Sequence, residues 1–511
     1  MLKCLRLERE VHADPFALYG AAKDALQVEG PTALLETRDA ELDARRTRAP
    51  SADSLRHVMM LRCALRCELY GPRVRIEAST DVGRTLLARL ADSSDCLERD
   101  RDRLLLHVGG PETPALSEAE RLKEPGPLDV LRALIEAHPD TEQAPRLLAV
   151  FAHEMMGRFE PSLRLPDGPV PDCVAFVPEL TLEMGRGRGT VTRLVRDDDL
   201  QAGRTDLKIW ARLTESPPAV EDAPFEPAPP PFVDMDDQAF QDAVRHAKAH
   251  IHRGDAFQVV LSRTFTVPCL DPRAAYGRLR RRCPSPYGFL IEDLDQVLLG
   301  ASPETAVRVG SDDVEVSPIA GTRPRPVDRI RGEVDPDLDA RLEAELRLDE
   351  KEVAEHLMLV DLARNDVARV ASGKPRVERL LSVARFSRVM HLVSEVHGTL
   401  REDLDALHAL RACSNPGTLT GAPKIRATQI SSSLEASPRG VYGGAVALFR
   451  GLRNMDSAIV IRSATVRDGV ARVRAGAGVV ADSDPAAEAE ETLRKAANVL
   501  GALGVPHGGV S

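Results

Sequence analysis

The spacing of apolar side chains is most regular in the middle of the chain, where a helical repeat gives way to a strand. Four apolar residues share one face of a predicted helix: Phe240, Val244, Ala247 and Ile251. Asp236 or Asp237 can cap this helix, and Gly254 ends it. The segment FQVVLSRTFTV that follows is rich in β-branched and aromatic residues, which predicts a strand.

In the rest of the chain, the spacing of apolar residues predicts hairpin-like strands mixed with separate helices. Residues 54–80 alternate around Gly71-Pro72, which predicts two strands joined by a turn. Further strands are predicted at SPYGFLIE, QVLLGAS, ETAVRVG and DVEVSPIAG, followed by a helix over roughly 339–370. The last unit is AIVIRSATVRDGVARVRAGAGVV and a helix from Pro485. This order predicts an α+β fold rather than a wound parallel sheet.

Periodicity is lost in one long segment, ESPPAVEDAPFEPAPPPFVDM, where proline and acidic residues dominate. Such a composition is typical of a surface linker or long loop. We therefore divide the chain into an N-terminal region (1–214), a proline-rich linker (215–235), a second domain (236–500) and a short tail (501–511). A chain of 511 residues also exceeds the size of one ordinary core.

Composition and charge narrow the range of functions. Apolar residues make up 43% of the chain and charged residues 29%, as in a soluble globular protein. The net charge of -11, with arginines interspersed among acidic residues, argues against a nucleic-acid partner. The eight cysteines form no C-x-x-C pair, and the N-terminus has no continuous apolar segment. We expect a cytoplasmic protein without a membrane partner.

The predicted helix over residues 349–370 carries an acidic side chain among apolar ones. Apolar residues surround this helix on every side, which predicts that it is buried. Glu355 projects among Leu359, Leu362 and Asp366, so its carboxylate should enter the interior. A buried carboxylate needs a cation or a raised pKa. An internal salt bridge, for instance to Arg364, is the structural alternative to a functional role.

The last helix offers a second carboxylate. Asp484 is suited to cap it, Pro485 fits its first position, and Glu488, Glu491 and Lys495 share one face. Taken alone, Glu491 and Lys495 would be an ordinary surface pair. Two helical carboxylates that meet over a ligand would instead suit Mg²⁺, which takes one or two protein carboxylates and completes its shell with substrate and water.

Several motifs resemble one enzyme family. They are SPIAGTRPR, EHLMLVDLARND, SNPGTLTGAPKIRA, YGGAV, AIVIRSA and AGAGVVADSDPAAEAEETLRKA, with a weaker match at ALLETRD. Together they resemble the chorismate-utilising enzymes, and among these the large subunits of anthranilate synthase, from about residue 255 to 496. The resemblance implies two antiparallel β-sheets packed face to face with helices outside.

The resemblance also implies roles for individual residues. Glu355 and Glu491 would hold Mg²⁺, Glu304 would be the general acid, and His391 would assist proton transfer. Seven residues would contact chorismate: Gly321, Thr322, Tyr442, Arg462, Gly476, Ala477 and Gly478. Arg462 can hold one substrate carboxylate through two hydrogen bonds while the metal neutralises the other.

Two positions at which relatives carry a lysine, but this chain does not, indicate the nucleophile. Family members that attack the ring through a lysine carry it where this chain has Ala320, and those that activate water carry a lysine where it has Gln258. The absence of both lysines leaves ammonia as the expected nucleophile. The sequence contains no recognisable glutaminase region, so we expect a separate glutamine amidotransferase subunit to supply it.

The resemblance implies a tryptophan feedback site in which this chain departs from its relatives. The corresponding residues are Thr37, Pro286, Tyr287 and Gly288. Gly288 replaces a large side chain that lines the indole pocket, and Cys283 and Ala458 also differ from enterobacterial relatives. A lost pocket wall removes contacts worth roughly 1–3 kcal/mol. We hypothesise that L-tryptophan inhibits this protein weakly; ordinary drift with a repacked site is the alternative.

These observations lead to one expected activity and two alternatives. The expected activity is that of an anthranilate synthase large subunit, which converts chorismate and ammonia to anthranilate and pyruvate, for tryptophan or for a secondary metabolite. A related enzyme could stop at 2-amino-2-deoxyisochorismate, and no residue excludes this. A non-catalytic paralogue that only binds chorismate would have no evident need for a general acid at Glu304.

Overall fold

The computed structural model describes residues 2–38, 55–91, 96–108, 118–139, 144–160, 162–166, 168, 170–216, 218, 227–294, 296–326, 334–386 and 389–506. Its helices are α1 (Pro15–Ala25), α2 (Asp81–Ala91), α3 (Glu118–Leu122), α4 (Leu128–Ala137), α5 (Met156–Phe159), α6 (Leu200–Glu215), α7 (Asp237–His252), α8 (Pro272–Arg282), α9 (Pro336–Leu348), α10 (Glu350–Ala368), α11 (Ala406–Cys413), α12 (Gly417–Thr420), α13 (Lys424–Leu434) and α14 (Pro485–Ala502). A short 3₁₀ turn, His153–Met155, precedes α5.

The strands are β1 (Leu2–Glu10), β2 (Thr32–Arg38), β3 (Leu55–Tyr70), β4 (Arg73–Ala78), β5 (Cys96–Arg99), β6 (Arg103–His107), β7 (Leu147–Phe151), β8 (Cys173–Gly185), β9 (Arg188–Arg196), β10 (Phe232–Val233), β11 (Gln258–Pro268), β12 (Tyr287–Glu292), β13 (Val297–Ser302), β14 (Arg308–Gly310), β15 (Asp313–Val316), β16 (Ile319–Pro324), β17 (Arg376–Arg385), β18 (Val389–Thr399), β19 (Gly421–Ala422), β20 (Ala445–Gly451), β21 (Asn454–Ile459), β22 (Ser463–Arg467) and β23 (Val470–Val479).

These strands pair antiparallel in one continuous hydrogen-bonded network, against which the helices pack. The long strands β3 and β8 are bulged between Met60 and Leu65, and each contributes to separate apolar clusters on the two sides of the bulge. The α+β class predicted from the sequence is confirmed. None of the described helices is long and apolar enough to cross a membrane.

Strands from the two ends of the chain pair with each other. Strand β2 lies beside β12, with Leu34 opposite Leu290, and β7 lies between β8 and β20. The end of the predicted linker forms β10, which pairs with β11. The predicted N-terminal region and second domain therefore share ladders, while their exact boundaries stay a prediction. Residues 217 and 219–226 of the linker and 507–511 of the tail lie outside the described residues.

The local helix predictions are confirmed at α7 and α14. The side chain of Asp236 accepts a hydrogen bond from the backbone N–H of Ala239, and Gly254 follows the helix with a φ of +81°. Asp484 likewise caps α14, which begins at Pro485. These caps satisfy backbone N–H groups that have no partner inside the helix.

The prediction of one helix over 339–370 is wrong, because two helices meet at Asp349. The backbone of Asp349 is extended, and its side chain caps α10 by accepting from Glu352 N–H. The prediction that apolar packing surrounds the second helix is also wrong. It buries one face, which includes Leu359 and Val360, whereas Leu357 on another face is 42% exposed.

Candidate active site

Two glycines of strand β23, Gly476 and Gly478, allow neighbouring side chains to approach the backbone of this strand closely. Gly476 lies opposite Ser262 and Gly478 opposite Val260 in the ladder with β11. A Cβ atom at Gly476 would lie 3.0 Å from the Tyr442 hydroxyl, and one at Gly478 would lie 2.7 Å from Nε2 of Gln258. Side chains alternate across a strand, so these contacts occupy one face of the sheet.

A partly buried arginine lies beside strand β23. Arg462 adopts a φ of +51°, and its Nη1 donates to the backbone carbonyl of Lys495 over 2.6 Å. No carboxylate in the described part of the chain forms a salt bridge with it. Burial lowers the pKa of its guanidinium, and Tyr442 and Glu491 act in the opposite direction. A partly buried cation without an ion pair is suited to receive a ligand anion.

A protonated carboxyl group lies in the same site. Glu304 follows β13, is 6% exposed, and accepts a hydrogen bond of 2.9 Å from Thr418 Oγ1. Burial raises the pKa of Glu304 to about 8, although Thr418 and Lys495 counteract the increase. Glu304 is therefore mainly protonated at pH 7 and can donate a proton to a leaving group.

His391 on β18 lies beside the bulge that contains Gly321. The register between β16 and β18 shifts at this glycine, which has a φ of +68°. Nδ1 of His391 is 3.0 Å from Thr322 Oγ1 and 3.0 Å from the Gly321 carbonyl oxygen. Burial lowers the pKa of His391 to about 4, so the imidazole is neutral at pH 7. Ala320 pairs with Leu392 at the edge of the bulge.

Helices α10 and α14 bring acidic side chains together. Burial raises the pKa of Glu355, and nearby Glu352, Glu488 and Glu491 raise it further against the opposing effect of Lys351. No three acidic, histidine or cysteine side chains among the described residues form a complete metal site by themselves. A pair of carboxylates that repel each other fits Mg²⁺, which completes its shell with substrate and water.

The predicted salt bridge between Glu355 and Arg364 is not formed. Glu355 instead lies 3.8 Å from Lys351 Nζ and is partly exposed, while Arg364 pairs with Asp361. Glu491 pairs with Lys495 over 2.6 Å. The lysines balance part of the negative charge, and the side chains of Glu355 and Glu491 stay 27% and 37% exposed.

Comparison with known proteins identifies the family. Residues 96–501 match the model of the chorismate binding enzymes. Anthranilate synthase component 1, pyocyanine specific, of Pseudomonas aeruginosa is 46% identical over 88% of this chain and 87% of its own length. Anthranilate synthase component 1 of Vibrio cholerae is 41% identical over 99% and 97%. This chain belongs to the chorismate-binding enzyme family.

A solved structure supports the same relationship. The crystal structure of anthranilate synthase component I from Streptococcus pneumoniae superposes with a TM-score of 0.69 and is 27% identical, covering 89% of this chain and 94% of the other. The family resemblance predicted from the motifs is confirmed. The roles of individual residues in this chorismate-binding enzyme stay predictions.

Two residues of the site were missed by sequence reasoning. Lys495 Nζ donates to the Gly476 carbonyl over 3.0 Å, and its charge lowers the pKa of Glu304 and Glu491. Its spacing from Glu491 indicated only a surface pair. Thr418 lies in the quoted motif SNPGTLTGAPKIRA, but its hydrogen bond to Glu304 spans 114 residues of sequence. The spacing of neighbouring residues in the sequence could not predict either contact, because each joins residues that are far apart along the chain.

The residues of the predicted feedback site lie together on the β2–β12 ladder. Thr37 is opposite Tyr287, Gly288 is opposite Glu36, and Pro286 precedes β12. A Cβ atom at Gly288 would lie 2.7 Å from the hydroxyl of Tyr276. That hydroxyl donates to Glu36 Oε2 over 2.6 Å. The space beside Gly288 is thus partly filled by another residue.

Proposed function

We propose that this chain is the large subunit of an anthranilate synthase, which converts chorismate and ammonia to anthranilate and pyruvate. The observation that carries the proposal is Glu304, a buried carboxyl group whose pKa of about 8 keeps it protonated at pH 7. It shares the site with the unpaired cation of Arg462, and no lysine occupies positions 258 or 320. A proton donor, an anion receptor and an external nucleophile are what this reaction requires.

Substrate binding follows from the charges of the site. Chorismate carries two carboxylates, and Arg462 would hold the one on the enolpyruvyl group. The hydroxyl of Tyr442, whose pKa burial raises to about 12, stays protonated and can donate a hydrogen bond beside it. Gly476, Ala477 and Gly478 would support the ring, and a side chain at either glycine would collide with neighbouring groups.

The chemistry then needs two stages. Ammonia forms a bond to C2 of the ring, the ring double bonds shift, and the C4–O bond breaks. Glu304 donates its proton to the departing hydroxyl, which leaves as water. The added nitrogen gives one proton to solvent and remains as an amine, and Glu304 takes up a proton again before the next turnover. The hydrogen at C2 then leaves as a proton and the C3–O bond breaks, which leaves aromatic anthranilate. The departing enolpyruvate takes up one proton at its methylene carbon and becomes pyruvate. The neutral His391 would assist proton transfer.

The amide oxygen of Gln258 supports ammonia as the nucleophile. Gln258 is 7% exposed, and its Oε1 has no hydrogen-bond partner among the described residues. A buried acceptor without a donor is unfavourable unless a ligand supplies one. Ammonia carries N–H groups that can meet this need, whereas a carboxamide is too weak a base to activate water.

Glu355 and Glu491 would hold Mg²⁺ in this proposal. When bound, the ion would neutralise the ring carboxylate of chorismate. Replacement Glu355→Gln should abolish turnover while the circular dichroism spectrum and melting temperature stay close to those of the parent. Near-normal activity of this variant would refute the metal assignment. Equilibrium dialysis with Mg²⁺ and chorismate provides a readout that does not depend on turnover.

The source of ammonia would be a separate glutamine amidotransferase subunit. The relatives from P. aeruginosa and V. cholerae are both named component 1, which supports the existence of a second component. The described cysteines form no disulfide, which supports the cytoplasm as the compartment. The purified chain should use ammonium salts but not glutamine; equal use of both would contradict the need for a partner.

We also propose that L-tryptophan inhibits this chain weakly. In the predicted feedback site, burial opposes ionisation of Glu36. The close approach of His57, 3.4 Å away, and two hydrogen bonds from Arg280 outweigh this effect and lower the pKa of Glu36 to about 2. Arg280 therefore already balances the charge of Glu36, which leaves less charge to bind the tryptophan ammonium group. The hydroxyl of Tyr276 also occupies part of the space beside Gly288. A weakly inhibited copy would suit the supply of a secondary metabolite, as the name of the P. aeruginosa relative supports. A submillimolar inhibition constant would reject this proposal.

Product identification tests the central activity. Purified chain is incubated with chorismate, Mg²⁺ and ammonium, and the products are separated and analysed by mass and fluorescence. We expect fluorescent anthranilate. Accumulation of non-aromatic 2-amino-2-deoxyisochorismate would show that the reaction stops at the first stage, and absence of turnover would favour a binding-only paralogue.

A further inference from the structure

Two short segments carry groups of the proposed active site, and both contact a pair of residues that has no role in the proposed mechanism. The first segment, residues 415–420, includes the short helix α12 and is called the acid loop; its Thr418 donates to Glu304. The tyrosine loop (residues 439–444) contains Tyr442, which lies against β23. The shared contact is His153-Glu154, in the 3₁₀ turn after β7. These residues are 3% and 5% exposed.

His153 connects the two loops through its backbone and its ring. Its N–H donates to the Gly440 carbonyl over 2.7 Å, which holds the tyrosine loop. Asn415 in the acid loop donates from Nδ2 to the carbonyl oxygen and to Nδ1 of His153, over 3.0 and 2.7 Å. Burial, with the nearby charge of Arg439, lowers the pKa of His153 well below its usual range. The imidazole is therefore neutral and can accept this bond.

Glu154 holds the tyrosine loop through one oxygen. Its Oε1 accepts from the backbone N–H groups of Arg439 over 2.7 Å and Gly440 over 3.2 Å. Its other oxygen, Oε2, has no partner among the described residues, and burial raises the pKa of Glu154. The contact therefore depends on one acceptor oxygen rather than on a salt bridge.

The tyrosine loop is also pressed against the strand that precedes this pair. A Cβ atom at Gly444 would lie 1.9 Å from the Phe151 carbonyl oxygen, and one at Gly443 would lie 3.3 Å from Nδ1 of His153. The loop can approach so closely because both positions are glycine. Small displacements of His153 or Glu154 would thus be transmitted to Tyr442.

We propose that His153 and Glu154 are positioning residues, supplied by the N-terminal part of the chain, that fix the two loops around the substrate. His153 would act through Asn415 on Thr418 and Glu304, and Glu154 would act on the backbone that carries Tyr442. The inference rests on the proposed function, because it assigns Glu304 and Tyr442 their tasks from that reaction.

The contact of Glu154 is tested by two substitutions with different acceptor capacity. Glu154→Leu keeps the volume and removes the acceptor, so the KM for chorismate should rise ~10-fold with a smaller change in kcat. Glu154→Gln keeps one oxygen for both backbone N–H groups, so its KM should stay within about twofold of the parent. Equal KM values for parent, Leu and Gln variants would overturn this half of the proposal.

The contact of His153 with the acid loop is tested at Asn415. Asn415 has a φ of +53°, which glycine tolerates, so Asn415→Gly removes the side chain without backbone strain. Loosening Thr418 removes a hydrogen bond that lowers the pKa of Glu304. The alkaline limb of kcat should therefore move up by ~0.5 pH unit. The titration of ammonia is the same in every variant and cancels in the comparison. An unmoved limb would overturn this half.

Met156→Ala is the matched control, because Met156 is buried next to the pair and its side chain donates no hydrogen bond. It should lower the melting temperature without changing KM or the alkaline limb. Hydrogen exchange of residues 415–420 and 439–444 separates this inference from the proposed function. If the parent lacks turnover, the proposed function fails. The positioning role is then supported if hydrogen exchange of these two segments is faster in Glu154→Leu and Asn415→Gly than in Met156→Ala. It is contradicted if the exchange is no faster.

Discussion

At the scale of single residues, burial sets the protonation states of the site. It raises the pKa of Glu304 to about 8 and lowers that of His391 to about 4, so both groups are neutral at pH 7. Arg462 remains the cation without an ion pair in the described site. The partly buried cation of Arg462 can attract an anionic substrate, and the neutral acid and imidazole beside it add no negative charge that would repel that substrate.

The first prediction concerns the acid. Glu304 can donate only while protonated, so kcat should fall as the pH rises through about 8. Glu304→Gln should lower kcat by ~10²- to 10⁴-fold at pH 7, since general acid catalysis contributes that much. Steady-state assays from pH 6 to 10 at saturating ammonium measure both effects. Glu402→Gln, at an exposed position, is the control. A profile that is flat through pH 8 would exclude Glu304 as the acid.

The second prediction concerns Lys495. Its charge lowers the pKa of Glu304, and its Nζ holds the Gly476 carbonyl. Lys495→Met should therefore shift the alkaline limb to higher pH and raise the KM for chorismate several-fold, by about 1 kcal/mol of binding. The neighbouring exposed cation provides the control, Arg494→Met, which should change neither value. If Lys495→Met and Arg494→Met had the same pH dependence of kcat and the same KM, Lys495 would have no role in the active site.

At the scale of elements, the sequence predicted α7 and α14 well because each has a capping aspartate at its first turn, and β11 because its residues are mostly β-branched or aromatic. It failed at Asp349, because no glycine or proline marks a break between helices within 339–370. Asp349 ends one helix, caps the next, and pairs with Arg323 over 2.5 Å. The last contact joins helix α10 to β16, and a long-range partner of this kind is not encoded in local periodicity.

The third prediction tests that cap. Asp349→Ala removes the acceptor for Glu352 N–H and should lower the free energy of unfolding by about 1 kcal/mol. Urea denaturation measures the change. Asp361→Ala, which removes an exposed pair with Arg364, should change stability by less than about 0.5 kcal/mol. Equal stability of the two variants would show that the break at Asp349 does not depend on its side chain.

At the scale of the whole molecule, the sequence predicted two separate regions, but β-strands of the two regions pair with each other. The change in composition at 215–235 predicted separate regions, yet β2 pairs with β12 and β7 pairs with β20. One apolar cluster contains Leu34 and Trp210 from the first region with Phe265 and Val473 from the second. Pairing between distant strands depends on tertiary packing, which neither period nor composition reveals.

The fourth prediction follows from this shared core. Trp210 is the single tryptophan and is 3% exposed, so its fluorescence reports on the cluster common to both regions. Unfolding in urea followed by this fluorescence and by circular dichroism should give coincident transitions. A fluorescence midpoint well below the circular dichroism midpoint would show that the N-terminal region unfolds separately.

The most direct measurement of the central claim follows the origin of the atom added to the ring. Purified chain is incubated with chorismate, Mg²⁺ and ¹⁵N-ammonium in H₂¹⁸O, and the products are analysed by mass spectrometry. We predict ¹⁵N-anthranilate in equal amount to pyruvate, with no ¹⁸O bound to the ring. Isochorismate or salicylate carrying ¹⁸O on the ring would contradict the account, because water rather than ammonia would then be the nucleophile.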